Sequence, residues 1–167
     1  MDATLLVAGL TAVCAGLIAT ARRRDAALIV AAGMGWTILI ASVGIALLTA
    51  VGILAADAVS LIALLLTAFV GATVLSFSRR YLRADPDVRG YAAKVLLLLG
   101  AIALFAGAGD LVSLGIGWTA SGWLLALLIG HATHWPEARA ARRRALATFA
   151  TGDVALIAQG MRTDRKS

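Results

Sequence analysis

Long uncharged runs alternate with short charged or turn-forming stretches along the whole chain. Residues 3–21, 26–56, 58–78 and 111–131 carry no Asp, Glu, Lys or Arg. Residues 91–107 carry only Lys94, and residues 145–161 only Asp153. The apolar positions are continuous and do not alternate with polar ones, so the pattern excludes half-buried strands. About 20 apolar residues make a helix that crosses the hydrocarbon core of a bilayer. The pattern therefore predicts membrane-spanning helices at about 3–21, 26–50, 58–78, 91–107 and 111–131. A partial sixth is expected at 145–161, interrupted by Asp153. Val51-Gly52 marks the turn that closes the second span, and Asp85-Pro86-Asp87 marks a turn in the loop-like stretch 79–94.

Composition sharpens this into a fold class. The 167 residues are 61% hydrophobic and 14% charged, where soluble domains carry about 25% charged residues. Mean hydropathy is +0.92. The reading is all-α: a single polytopic transmembrane helix bundle of about five to six helices, surrounded by membrane lipid. A disordered chain is excluded, and a transmembrane barrel is disfavoured by the missing alternation. The lone Cys14 permits neither an internal disulfide nor a zinc site and reads as a small packing residue.

The net charge of +6 is concentrated. Arg22–Arg24, the stretch Arg79–Lys94, and Arg139 with Arg142–Arg144 hold twelve of the 15 Lys and Arg. These clusters follow the first, third and fifth runs. The linkers near 51–57 and 107–110 contain none. Cytoplasmic loops collect Lys and Arg, so the basic loops are expected in the cytoplasm, the N-terminus outside, and the chain in the cell (plasma) membrane. With no soluble basic domain to carry it, the charge gives no nucleic-acid footprint. A cleaved signal peptide over residues 1–21 fits poorly, because the arginines follow the apolar run instead of preceding it.

Small residues let helices approach closely in lipid. Ser113, Gly117 and Ser121 form one i, i+4, i+8 stripe; Gly122, Ala126 and Gly130 form a second. Two stripes imply neighbours on two sides and a helix inside the bundle. Ionisable groups near the membrane are few. Asp57 and Asp110 each open an apolar run and read as N-caps. Lys94 is either a snorkelling lysine about one turn into its helix or a proton-path residue. His131 and His134 either anchor a helix end beside Trp135 or relay protons. Asp153 either caps a helix or sits in a polar core. The spacing of the two histidines lacks the further ligands of a metal site. No nucleophile–base pair, phosphate loop or cofactor motif is present, so no catalytic centre and no cofactor are expected in this chain.

Several motifs resemble a family. Asp57-Ala58 and the run ending Ser76-Phe77-Ser78-Arg79-Arg80-Tyr81-Leu82, then Tyr91 to Asp110, are similar to consecutive helices of the antiporter-like membrane subunits of respiratory complex I. Mrp-type antiporters and the membrane subunits of bicarbonate-accumulating complexes are relatives of these subunits. Gly117-Trp118-Thr119-Ala120-Ser121-Gly122-Trp123, ending Leu127-Leu128-Ile129-Gly130, resembles the family's Gly-Trp-Glu-x-x-Gly…Leu-Leu-Ile-Gly helix. Ala145 to Ile157, with Gly152-Asp153, looks like the start of the next helix. The resemblance covers roughly 55–158, the N-terminal part of a fold of about fourteen helices.

The resemblance implies a membrane subunit, or its N-terminal fragment, in a proton- or ion-translocating complex such as NADH–quinone oxidoreductase, with other membrane subunits as partners. It also implies later helices that are absent or supplied by another polypeptide. The family's proton-pathway glutamate falls at Thr119, which cannot titrate. Two alternatives stay open: a subunit of a bicarbonate- or CO2-accumulating complex of the same superfamily, and a structural or assembly module that moves nothing.

Overall fold

A computed structural model describes Thr11 and residues 24–54, 57–82, 85–132 and 134–164. The expected first span, 3–21, lies outside the described residues apart from Thr11, which is helical and buried. The rest is five helices: α1 (Arg24–Ala50), α2 (Ala58–Tyr81), α3 (Val88–Ala106), α4 (Leu111–Ile129) and α5 (Pro136–Asp164). Among the described residues there is no strand.

α1 to α4 are each long and apolar enough to cross a membrane. The shortest, at 19 residues, rise about 28 Å, close to the ~30 Å hydrocarbon core. Between α1 and α2 the chain reverses at Val51–Leu54, where Gly52 has φ 77°. That left-handed conformation costs a side chain with a Cβ about 1 kcal/mol or more, and glycine little. Asp57 then caps α2, its Oδ2 accepting from the amides of Val59 (3.1 Å) and Ser60 (3.2 Å). Asp110 caps α4 in the same manner through the Ser113 amide at 2.8 Å.

α1, α2 and α3 pack mutually, α4 leans on α3, and α5 on α4. The core is small and aliphatic: Ala27, Ala31, Ile38, Leu64, Ala68, Leu75, Ala92, Leu96 and Ala103. Outward positions are apolar too. On α2, Ile62 is 66% exposed, Leu66 62% and Phe69 54%, a stripe at helical spacing. Such a face would be unstable against water and is at home in lipid. Hydroxyls inside the helices bond back to carbonyls one turn earlier, as Ser42 does to Ile38 (2.8 Å) and Thr73 to Phe69 (2.8 Å). Polar contacts tie helices together. Trp36 Nε1 donates to Ser76 Oγ (3.0 Å), and Ser60 Oγ donates to the Ala106 carbonyl (2.7 Å).

Two boundaries differ from the sequence expectation. α3 begins at Val88 and not near Tyr91, because the Asp87 carboxylate caps the Gly90 amide (3.2 Å). Lys94 is therefore almost two turns into the helix. The basic stretch 137–144, expected as a linker, is the first part of α5. Pro136 at the first helical position needs no amide partner, and the Ala/Arg-rich segment after it has strong helix propensity. Residues 145–156, the apolar part of the expected sixth segment, then run along α4, Phe149 facing Gly122.

Candidate functional site

Polar side chains converge where α2 ends, α3 begins and α4 ends. The hub is His131, just past the Gly130 cap of α4, its side chain 10% exposed. Its Nδ1 lies 3.5 Å from Lys94 Nζ on α3. Its Nε2 lies 3.2 Å from Asp85 Oδ2 in the α2–α3 turn. With a neutral ring, Nδ1 accepts from Lys94, because an ammonium has only donors, and the ring proton is on Nε2 and donated to Asp85. Lys94 also lies 3.5 Å from Asp87 Oδ2, and the Asp87 amide donates to Asp85 Oδ1 at 2.8 Å. Tyr91 packs edge-on against the His131 ring, centroids 5.2 Å apart, and Ser78 Oγ meets Tyr91 OH at 3.2 Å. One imidazole at the end of α4 thus joins the α2–α3 turn and α3, 46 and 37 residues away in sequence.

The structure brings Lys94 and His131 together and leaves His134 out. His134 is exposed in the α4–α5 turn, edge-on to Trp135 at 6.0 Å. Asp85, Asp87 and Tyr91 are members that residue spacing alone did not single out beyond a turn signal. The available hint was two carboxylates inside an otherwise basic stretch, with a lysine seven residues further along. Among the described residues no group of three or more His, Cys, Asp or Glu is arranged to hold a metal ion.

A second polar locus lies between α4 and α5. Asp153, half-buried on α5, borders a groove of ≈ 510 Å³ that also takes in Gly115, Thr119 and Leu156. It also borders a cavity of ≈ 270 Å³ lined by Trp118, Ser121, Gly122 and Phe149. Thr119 and Asp153 therefore share one groove. The Ser121 hydroxyl donates to its own helix, at the Trp118 carbonyl (2.8 Å).

The small residues of α4 face two different neighbours. A Cβ on Gly117 would come within 2.6 Å of the Phe105 backbone nitrogen on α3. At Gly122 it would meet the Phe149 ring of α5 at 3.1 Å, and at Gly130 the Arg142 side chain. Ala126 is fully buried. Ser113 serves the cap, its hydroxyl donating to Asp110 Oδ2 at 2.8 Å. The Ser113 amide, and then its hydroxyl, hold the Asp110 carboxyl below its ordinary value. α4 has α3 on one side and α5 on another, as two stripes imply. Its outer face presents Ile116 and Trp123, each more than half exposed, because bulky residues fill the positions between the two stripes.

Fold and surface define a polytopic α-helical membrane protein. No family model matches the chain. Over 100 residues, 60% of its length, the chain is 33% identical to NADH-quinone oxidoreductase subunit L of Mycobacterium tuberculosis, in both the CDC 1551/Oshkosh and the ATCC 25618/H37Rv strains. The match spans 16% of the length of these curated relatives. Over that stretch the chain resembles a complex I membrane subunit.

Proposed function

We propose that the chain is a membrane subunit of a proton- or ion-translocating complex resembling NADH–quinone oxidoreductase, contributing leading helices of an antiporter-like fold. The 33% identity to subunit L is the observation that carries this. In this reading the basic end faces the cytoplasm and the N-terminus lies outside, in the plasma membrane, as the distribution of Lys and Arg favours. Other membrane subunits flank it.

Proton movement would pass through side chains and water, coupled to helix rearrangement. His131 and Lys94 stand at the basic end, with His134 exposed nearby. Thr119 and Asp153 share the α4–α5 groove. Thr119 cannot carry a proton as a carboxylate would, so Asp153 is the titratable group of that groove.

The test is to isolate the tagged full chain from its native membranes in mild detergent. Co-elution of flavin and iron–sulfur subunits of an NADH–quinone oxidoreductase is the expected result. The absence of a glutamate at Thr119 favours a second reading, a bicarbonate-accumulating complex. A zinc-dependent carbonic-anhydrase-like partner would select it. A monodisperse monomer without partners would overturn both and leave a structural module.

A further inference from the structure

We propose that His131 is a proton-binding switch at the basic end of the bundle, with Lys94 as the arm that moves between two partners according to its protonation. The inference does not depend on ions passing through the chain.

With a neutral ring, Asp85, Asp87 and Lys94 leave the cluster at −1. A proton on His131 brings it to zero. The side chains of His131, Asp85 and Lys94 are 10%, 19% and 27% exposed. Unbalanced charge is costly at such partly shielded sites, so proton uptake here neutralises the cluster.

Geometry supplies two states. In the arrangement described, Lys94 donates to Nδ1 and Nε2 donates to Asp85. When Nδ1 takes a proton it becomes a donor, and it faces an ammonium 3.5 Å away. That contact turns repulsive. Lys94 has a second partner already within reach, Asp87 Oδ2 at 3.5 Å. The protonated ring keeps Asp85 as an ion pair. The proton comes from water at the exposed edge of the cluster, where Asp87 is 61% exposed, and it ends on Nδ1. No other bond is made or broken.

Neither Tyr91 on α3 nor Arg142 on α5 takes that proton. Tyr91 presents an edge contact to the ring and directs its hydroxyl to Ser78. From α5, Arg142 approaches Gly130, the residue before His131, through its methylene chain. Because Asp87 also caps the start of α3, Lys94 moving onto it carries the protonation state to the first turn of that helix. Imidazole is the side chain whose proton exchange falls within the physiological range.

The experiment is nitrogen-15 NMR of the histidine rings in the full chain, in lipid nanodiscs, across about pH 5 to 8. The chain has two histidines, and His134→Gln assigns the signals. At the alkaline end the unaltered chain is expected to show His131 with its proton on Nε2. Asp85→Asn should move the midpoint of the His131 signal down, and Lys94→Gln should move it up. A proton on Nδ1 at the alkaline end would overturn the proposal, and so would midpoints that stay put or move together in the two variants. The tautomer measurement needs no variant of the cluster, so it decides even if a substituted chain fails to fold.

Discussion

Replacing Gly117 by alanine adds one methyl group where the backbones of α3 and α4 nearly touch. Built on the existing backbone, that carbon lies 2.6 Å from the Phe105 nitrogen, 2.8 Å from its Cα and 2.9 Å from its Cβ. Ordinary van der Waals contact begins near 3.4 Å. The two helices must therefore separate by roughly 0.8 Å, and a gap of that size forfeits about a quarter to a half of each dispersion contact it opens. The obstacle is main chain, not the flexible tip of a side chain, so no rotamer change relieves it. The expected cost is at the upper end of the overpacking range, about 2 to 3 kcal/mol. For a chain of this size that corresponds to a fall of roughly 5–10 °C in the apparent unfolding midpoint. The assay is thermal unfolding of the purified full chain in mild detergent, with Gly115→Ala as the internal control. Gly115 lies on the same helix and a Cβ there meets nothing within 4 Å, so that variant should lose no stability. Equal midpoints for the two variants would refute the close packing of α3 on α4.

Three further outcomes are expected. Trp36→Phe removes the indole donor to Ser76 and should cost about 0.6 kcal/mol, the average for an interhelical hydrogen bond in a membrane, read as a small drop in the same unfolding midpoint. The Asp110 cap is tied to ionisation. Because its carboxyl titrates below the ordinary value of 3.8 in the folded chain, its contribution is intact at neutral pH and is lost only as pH falls through the lowered value. Amide exchange at Ser113 should stay slow down to that range and quicken beyond it; quickening already near neutrality would contradict the cap. Thr119→Glu places a second carboxylate in the groove beside Asp153 and should raise proton flux in the reconstituted complex; unchanged flux would remove position 119 from the path.

How much of this was legible in the chain depends on the range of the interaction. The Asp57 and Asp110 caps follow from residues three apart, and the sequence reading of both agrees with the structure. Four of the apolar runs are helices because their length and composition leave the backbone no other way to satisfy itself in lipid. The stretch 137–144 was misread because clustered charge was equated with a loop, although alanine and arginine together favour helix as strongly as any pair. By sequence Lys94 reads either as a residue reaching for the interface or as a proton-path group, about one turn into its helix. Its position nearly two turns into α3 depends on where Asp87 starts that helix. The His131 cluster was illegible for a topological reason. Its contacts join residues 37 and 46 apart, and only the antiparallel return of α4 beside α3 brings them together. The stripes on α4 marked where neighbours could come close, but not which helix would use Gly117 and which Gly122.

α5 is one unbroken rod from Pro136 to Asp164. Its arginines cluster near one end, and Asp153 sits more than two turns further along the same shaft. A helix of this kind bends little over such a distance. A partner bound to the arginines would hold the same helix that lines the groove with Asp153, and the Gly122–Phe149 contact to α4 lies between the two.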